Sequence, residues 1–309
     1  MLQTQKADMT RILLTGANGQ VGAELRQTLG AVGEVIAIDR TQWDLSNPDA
    51  IRPVVQAVQP HLIVNAAAYT AVDKAESELE LATTINGKAP QVLAEAAEKL
   101  DAGLIHISTD YVFDGQQSRP YLDTDATNPL GAYGQSKLMG EEAVRSICRK
   151  HLIVRTAWVY GVQGKGNFVK TMLRVGAQRS ELRVVTDQIG APTWARDLAL
   201  AIAQLAPHLT PETVGTYHYT NSGVCSWYDF AIAIFEEART LDFPLTVQQV
   251  VPISTEEYPT PARRPAFSVL SLQKTAALLG SHPPYWRDSL RKMLAGLRAV
   301  ETTIASVAK

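Results

Sequence analysis

The stretch Arg11-Ile-Leu-Leu-Thr15-Gly16-Ala-Asn-Gly19-Gln20-Val21-Gly22 fixes the frame in which the rest of the chain is read. A short apolar run leads into three glycines spaced three apart, and a helical pattern starts inside them. Glycines at such a turn let the backbone approach a pyrophosphate, whose charge then rests on the N–H groups of the helix N-terminus. Gly16, Gly19, Gln20, Val21 and Gly22 are therefore candidate cofactor-binding residues.

Working outward, the same texture recurs. Val35–Ile38, Leu62–Asn65, Leu104–Ser108 and Leu152–Arg155 are short Val/Ile/Leu runs with little polar alternation. They read as parallel strands covered on both faces. Helical patterns fall between them at 20–29, 48–58, 78–99 and 131–149, and Pro90 is expected to break the third. The fold class is α/β: a Rossmann-like, doubly wound parallel sheet with a smaller α/β substrate-binding lobe on the C-terminal side. Residues 1–10 read as an N-terminal extension and 11–160 as the dinucleotide-binding domain. Residues 161–309, where helical patterns sit at 166–178, 194–206, 226–240, 271–279 and 284–298, read mainly as the second lobe, with some segments expected to return to the first sheet.

The composition removes whole classes of function. Of 309 residues 46% are apolar, enough for a full core, and 29 Lys+Arg against 31 Asp+Glu give no broad basic field for nucleic acid or anionic lipid. No apolar run approaches the roughly 20 residues of a membrane span. Cys148 and Cys225 form no C-x-x-C pair, and the six histidines show no metal-ligand spacing. A cytoplasmic enzyme without nucleic-acid or membrane partners is the expectation.

The remaining chemistry gathers at strand ends. Asp39-Arg40 closes the second strand, where an acid accepts from adenosine ribose hydroxyls and an arginine can pair with a 2′-phosphate, so NADH and NADPH both stay open. Asp44 and Leu45 fall where such folds cover the adenine. Ala66, Ala67, Ala68, Tyr69 and Thr70 follow the third strand, small enough at first to let a flat cofactor pass. Ser108-Thr109-Asp110-Tyr111 follows the fourth. Tyr133 comes 24 residues after Thr109, and Lys137 one helical turn later. That spacing puts phenol and ammonium on one helix face, and the cation is expected to lower the phenol's pKa for acid–base work.

These residues, with the G-x-x-G-x-x-G spacing, resemble the extended short-chain dehydrogenase/reductase family. Within it, Asn65–Ser77, Ser108–Phe113, Arg155–Tyr160, Asn167-Phe168, Asp187–Thr193 and Arg264-Pro265 resemble the dTDP-4-dehydrorhamnose reductases over about residues 10 to 298. The resemblance implies reduction of the C4 ketone of dTDP-4-dehydro-β-L-rhamnose by NADPH or NADH, the final step of dTDP-L-rhamnose synthesis. It implies Thr109, Tyr133 and Lys137 as catalytic residues, and Thr109, Asp110, Tyr111, Trp158, Asn167, Gln188 and Arg264 as contacts to the dTDP-sugar. Glu24 matches a carboxylate that shares magnesium between subunits in some relatives, but Arg196 stands where a second acid is expected. A guanidinium disfavours a cation there, so no structural metal is expected; a homodimer is left open. Two alternatives share the pattern: an epimerase or dehydratase of nucleotide sugars, and a non-catalytic subunit resembling the regulatory partner of methionine adenosyltransferase.

Overall fold

The structure, a computed structural model, describes residues 10–40 and 43–307, with side chains up to Thr303. Of the expected N-terminal extension, residues 1–9 lie outside the described residues. Six parallel strands form the central sheet: β1 (Arg11–Thr15), β2 (Glu34–Ile38), β3 (Leu62–Asn65), β4 (Gly103–Thr109), β5 (His151–Thr156) and β6 (Gly215–His218). Their order is β2-β1-β3-β4-β5-β6. The direction of winding reverses between β1 and β3, so a crevice opens at their carboxyl ends, the usual ligand position in doubly wound sheets. In that register Thr15 lies opposite Ile38 and Asn65, and Thr109 opposite Thr156.

Alternate residues of each strand feed two cores. Ile12, Leu14, Val64, Ile105 and Val154 pack beneath α1 (Gln20–Thr28); Leu13, Ile63, Leu104 and Ile153 face the other way, toward α2 (Ile51–Val58) and α3 (Ala89–Lys99). Burial on both sides explains why the strands read as unbroken apolar runs, each large side chain adding about 1.5–3 kcal/mol. Helix α4 (Ala132–Ile147) packs beside α3.

Pro90 does not break the third helical region, contrary to expectation. Leu79–Thr83 is α-helical, Thr84–Lys88 winds as a π-helical turn, and α3 continues from Ala89. The wider turn re-phases the backbone just ahead of a residue that cannot donate. It also places Asn86, fully buried, against the chain after β3. The Asn86 amide accepts from Tyr69 N and donates to Tyr69 O and Ser136 Oγ, all within 3.0 Å.

The chain after residue 160 carries α5 (Phe168–Gly176), α6 (Ala195–Leu205), α7 (Trp227–Arg239), α8 (Gln273–Leu279) and α9 (Trp286–Val307). α9 runs well past its expected end at 298. Tyr160, Phe168, Trp227, Phe230 and Trp286 form an aromatic core, and a Ser226–Asp229 capping box starts α7. Part of this stretch returns to the first sheet: α6 packs on α1, and β6 pairs with β5 as the sheet's last strand. Among the described residues no helix is long and apolar enough to cross a membrane.

Candidate active site

The chain leaves β1 through Gly16, whose φ of +69° is a left-handed value that side chains rarely adopt. A Cβ there would lie 2.6 Å from Ala67 N, and one at Gly22 only 2.1 Å from Gly16 O. The glycines thus serve close approach, of the loop to the chain after β3 and of α1 to its own loop. Gly19 is the N-cap of α1 and brings no side chain to cap it. The first helical N–H groups are left for an anion.

At one end of the crevice Asp39 Oδ2 accepts from Asn18 Nδ2 at 2.5 Å, a partner absent from the sequence expectations. The exposed Arg40 reaches Asp44 at 3.7 Å. The Ser46 backbone N–H, helped by the Arg40 charge, holds the Asp44 carboxyl below its ordinary range. Trp43 and Leu45 are buried behind them.

At the other end Thr109 caps the turn that follows β4. Its Oγ1 accepts from Tyr111 N at 3.2 Å and lies 3.1 Å from Asp110 Oδ1. Burial pushes the Tyr133 phenol up to about 12; the neighbouring Thr109 hydroxyl works against this and the Asp110 charge adds to it. The Tyr111 ring meets Tyr133 edge-on at 5.4 Å. Burial raises Asp110 to about 6, against opposing hydrogen bonds. Lys137 Nζ donates to Ile107 O at 2.6 Å and sits 3.4 Å from His106 Nε2; burial brings the amine down to about 8, with Glu141 acting the other way. The expected lowering of the phenol by Lys137 is therefore corrected. The amine is drawn to the β4 backbone, and desolvation dominates at Tyr133, leaving the protonated phenol that a general acid requires.

A cleft of about 910 Å³ runs between these ends. It is lined by the expected Gly16, Gly19, Gln20, Val21, Asp39, Arg40, Asp44, Leu45, Ala66 to Thr70, Thr109, Asp110, Tyr111, Tyr133, Lys137 and Trp158. Gly22 acts from behind, through its contact with Gly16. Residues that the sequence reading did not single out also line it, among them Asn18, Lys165 and Trp227. Trp158 has a φ of +47° and stacks on Trp227 with ring centroids 3.6 Å apart. Such a strained non-glycine residue is retained where the surroundings dictate it, here by Trp227 and by Gly190, where a Cβ would strike the indole at 2.6 Å. Lys165 could have been found from its two flanking glycines.

Three expected substrate contacts are not brought to the cleft wall. The Arg264 fork is engaged bidentately by Asp73 at 3.0 and 2.8 Å, and its Nη1 also donates to Ala262 O. Gln188 is buried and donates to Thr255 Oγ1. Asn167 caps α5 and donates to Gln20 Oε1 and Gly161 O, tying the second lobe to the glycine loop. Each of these side chains hydrogen-bonds within the protein. Arg196 donates to Glu24 at 3.1 Å within the chain, so that carboxylate has a guanidinium partner. Among the described residues no group of three His, Cys, Asp or Glu side chains is placed to hold a metal ion.

The family model described as "RmlD substrate binding domain" matches residues 9–299. A dTDP-4-dehydrorhamnose reductase of Escherichia coli K12 is 47% identical over 290 residues, covering 92% of this chain and 96% of the relative. The chain belongs to the dTDP-4-dehydrorhamnose reductase family. Two solved members of that family share its fold. One from Clostridium acetobutylicum has 41% identity and a TM-score of 0.86; one from Bacillus anthracis, solved in complex with NADP, has 39% and 0.85. Each comparison covers 93% of this chain and 99% of the other. The cradle in this member of the family fits a dinucleotide: two positions where a Cβ would block the turn, an N-terminus without a side-chain cap, and a floor of alanines.

Proposed function

We propose that this chain reduces the C4 ketone of dTDP-4-dehydro-β-L-rhamnose to the alcohol with NADPH or NADH, closing dTDP-L-rhamnose synthesis. The observation that carries the reading is the convergence of Thr109, Tyr133 and Lys137 at one end of a cleft whose other end is the glycine cradle. A reduced nicotinamide bound there supplies hydride to the ketone carbon. Gly16, Gly19, Gln20, Val21 and Gly22 form the pyrophosphate seat, Asp39 and Arg40 face the adenosine ribose, and Ala66 to Ala68 line the path toward Lys137.

Tyr133, protonated at neutral pH, gives its phenolic proton to the oxygen that becomes the alcohol. Thr109 orients that oxygen and steadies the phenol. Lys137 holds the nicotinamide ribose. Asp110, Tyr111 and Trp158 contact the sugar, with Trp227 backing the indole. Asn167, Gln188 and Arg264, the further contacts that the resemblance implies, hydrogen-bond within the protein beside the cleft. Burial makes these polar groups effective, since a low local dielectric strengthens each hydrogen bond.

The test is Tyr133→Phe, followed by loss of dihydronicotinamide absorbance with substrate made from dTDP-glucose. Turnover should fall by about 10²–10⁴-fold, the usual worth of a positioned acid, with NADPH affinity retained. Unchanged turnover would overturn the assignment, and net conversion without NADPH consumption would point to an epimerase.

A further inference from the structure

One cation of the cleft has no part in the reaction proposed above. Among the described residues of the cleft wall, Arg40, Lys137 and Lys165 carry the positive charge. Arg40 sits beside Asp44 just past the end of β2, and Lys137 is buried with its amine on Ile107 O. Lys165 is exposed, and among the described residues no carboxylate comes within ion-pair distance of it.

The loop that carries Lys165 is fixed against the glycine cradle. Gly164 has a φ of +82°, a left-handed value, and a Cβ there would lie 2.6 Å from Gln20 Cγ and 3.3 Å from Gln20 N. Gln20 is the first residue of α1, the helix whose N-terminus has no side-chain cap. At Gly166 a Cβ would meet nothing within 4 Å. The loop is thus pressed onto α1 at Gly164 and stands free at Gly166, with Lys165 between. Lys170 Nζ, from α5, donates to Val162 O at 2.6 Å and to Gly164 O at 3.1 Å. Asn167 Nδ2 donates to Gly161 O at 2.9 Å and to Gln20 Oε1 at 2.8 Å. These four bonds hold the loop across the start of α1 from both of its flanks.

We propose that Lys165 is a binding residue for the dinucleotide pyrophosphate, brought by the chain after β5 across the mouth of the glycine cradle; the proposal rests on the cofactor reading of that cradle. The glycine loop offers N–H groups but no net charge, and Asp39, Asp44 and Asp110 line the same cleft. Without Lys165 those acids outnumber the cations, which disfavours an anionic ligand. An ammonium on a flexible four-carbon stem is a compact point charge and can follow phosphate oxygens without a fixed approach angle. Position selects among the anions a nucleotide cleft receives. A 2′-phosphate belongs with Asp39 and Arg40 past the end of β2, and the sugar nucleotide with Asp110 and Trp158. Gly164, one residue before Lys165, touches the residue that opens α1, where a pyrophosphate rests. Exposure suits the role, because a reductase exchanges its cofactor at every turnover, and a contact open to water and salt binds without trapping.

The test reads binding, not turnover. The protein is titrated with NADPH and with NADH by fluorescence, and with dTDP by calorimetry. Lys165→Gln keeps most of the stem and removes the charge; at low salt it should weaken both dinucleotides by the same factor, about tenfold, the scale of one hydrogen bond to a charged group. Its affinity for dTDP should stay within about twofold of the parent, and Lys165→Arg, which restores the charge, should stay within about threefold for all three probes. Added salt should narrow the gap between parent and Lys165→Gln, since an exposed contact is screened. Both variants should melt with the parent, because the side chain is exposed. A loss confined to NADPH assigns Lys165 to the 2′-phosphate, and a loss confined to dTDP assigns it to the sugar nucleotide. Either result overturns the proposal, as does parent affinity for all three probes or an equal loss in Lys165→Arg. A parent protein that binds neither dinucleotide overturns the cofactor reading itself, so the two failures are told apart.

Discussion

Glu141→Gln tests the ground on which the catalytic helix stands. Glu141 is fully buried on α4, and Arg155 on β5 is 2% exposed. The two meet through Nε–Oε1 at 2.9 Å and Nη2–Oε2 at 2.6 Å, and the guanidinium lies 5.0 Å from the centre of the Phe113 ring. Glutamine keeps the volume, so no cavity opens, but it leaves Arg155 buried without a full counter-charge. Breaking one side of a buried pair costs about 3–5 kcal/mol. With an unfolding entropy of about 2.1 cal/mol/K per residue, that is a fall in Tm of about 5–8 °C for a chain of this length, measurable by calorimetry. The pH dependence gives the sign. Burial alone would raise the Glu141 carboxyl, but the hydrogen bonds and charge of Arg155 outweigh it and hold the group below its ordinary value. Its contribution is therefore complete above the unfolded carboxylate pKa of about 4.3 and lost as pH falls through the lower folded value. The gap between parent and variant should be full at neutral pH and close in acid. A Tm within about 1 °C of the parent at neutral pH, where an intact pair predicts a several-degree loss, would refute the reasoning. The double variant Glu141→Leu with Arg155→Met should recover most of the lost stability, because it leaves no buried charge behind.

Three further outcomes follow from other contacts. Gly22→Ala sets a methyl group 2.1 Å from Gly16 O, so the loop and α1 must part, and NADPH affinity by fluorescence titration should drop more than about tenfold, or about 1.4 kcal/mol; parent affinity would deny the loop its role. Arg264→Lys breaks the bidentate grip on Asp73 and should lower Tm while leaving KM for the dTDP-sugar within about twofold, whereas a rise beyond about tenfold would return Arg264 to the substrate. Cys148 and Cys225 are buried, and desolvation raises both thiols, Cys148 to about 11. An aromatic disulfide reagent should therefore label neither in the native protein and both after denaturation, and prompt native labelling would contradict that burial.

The parts of this molecule that were legible in the sequence are those in which neighbours in the chain are also neighbours in space. Strands buried on both faces must be apolar throughout, so β1 to β5 announce themselves. Gly16 to Gly22 are a single turn, and Tyr133 and Lys137 share one helix face. The features that were not legible have the opposite character. The partner of Arg264, Asp73, is 191 residues away, and nothing local shows that Asn167 caps α5 and reaches Gln20. Pro90 looked like a break because a π-helical turn has no pattern separate from that of an α-helix. The effect of Lys137 on Tyr133 was judged from spacing alone, while burial and the pull of Ile107 O decide the outcome. Trp227 stands 69 residues beyond the indole it supports, with no shared periodicity to link them.

The return of the chain to its first sheet has a consequence for synthesis. β5 is buried along its whole length only because β6 covers its outer edge, yet β6 is made some sixty residues later. At roughly 5–20 residues per second a ribosome leaves that edge open for several seconds, and an open, apolar edge strand invites pairing with another nascent chain. A gene fragment ending near residue 160 would make that interval permanent, so the dinucleotide-binding half should aggregate when expressed by itself. Nascent chains should likewise become protease-resistant only once His218 has cleared the exit tunnel.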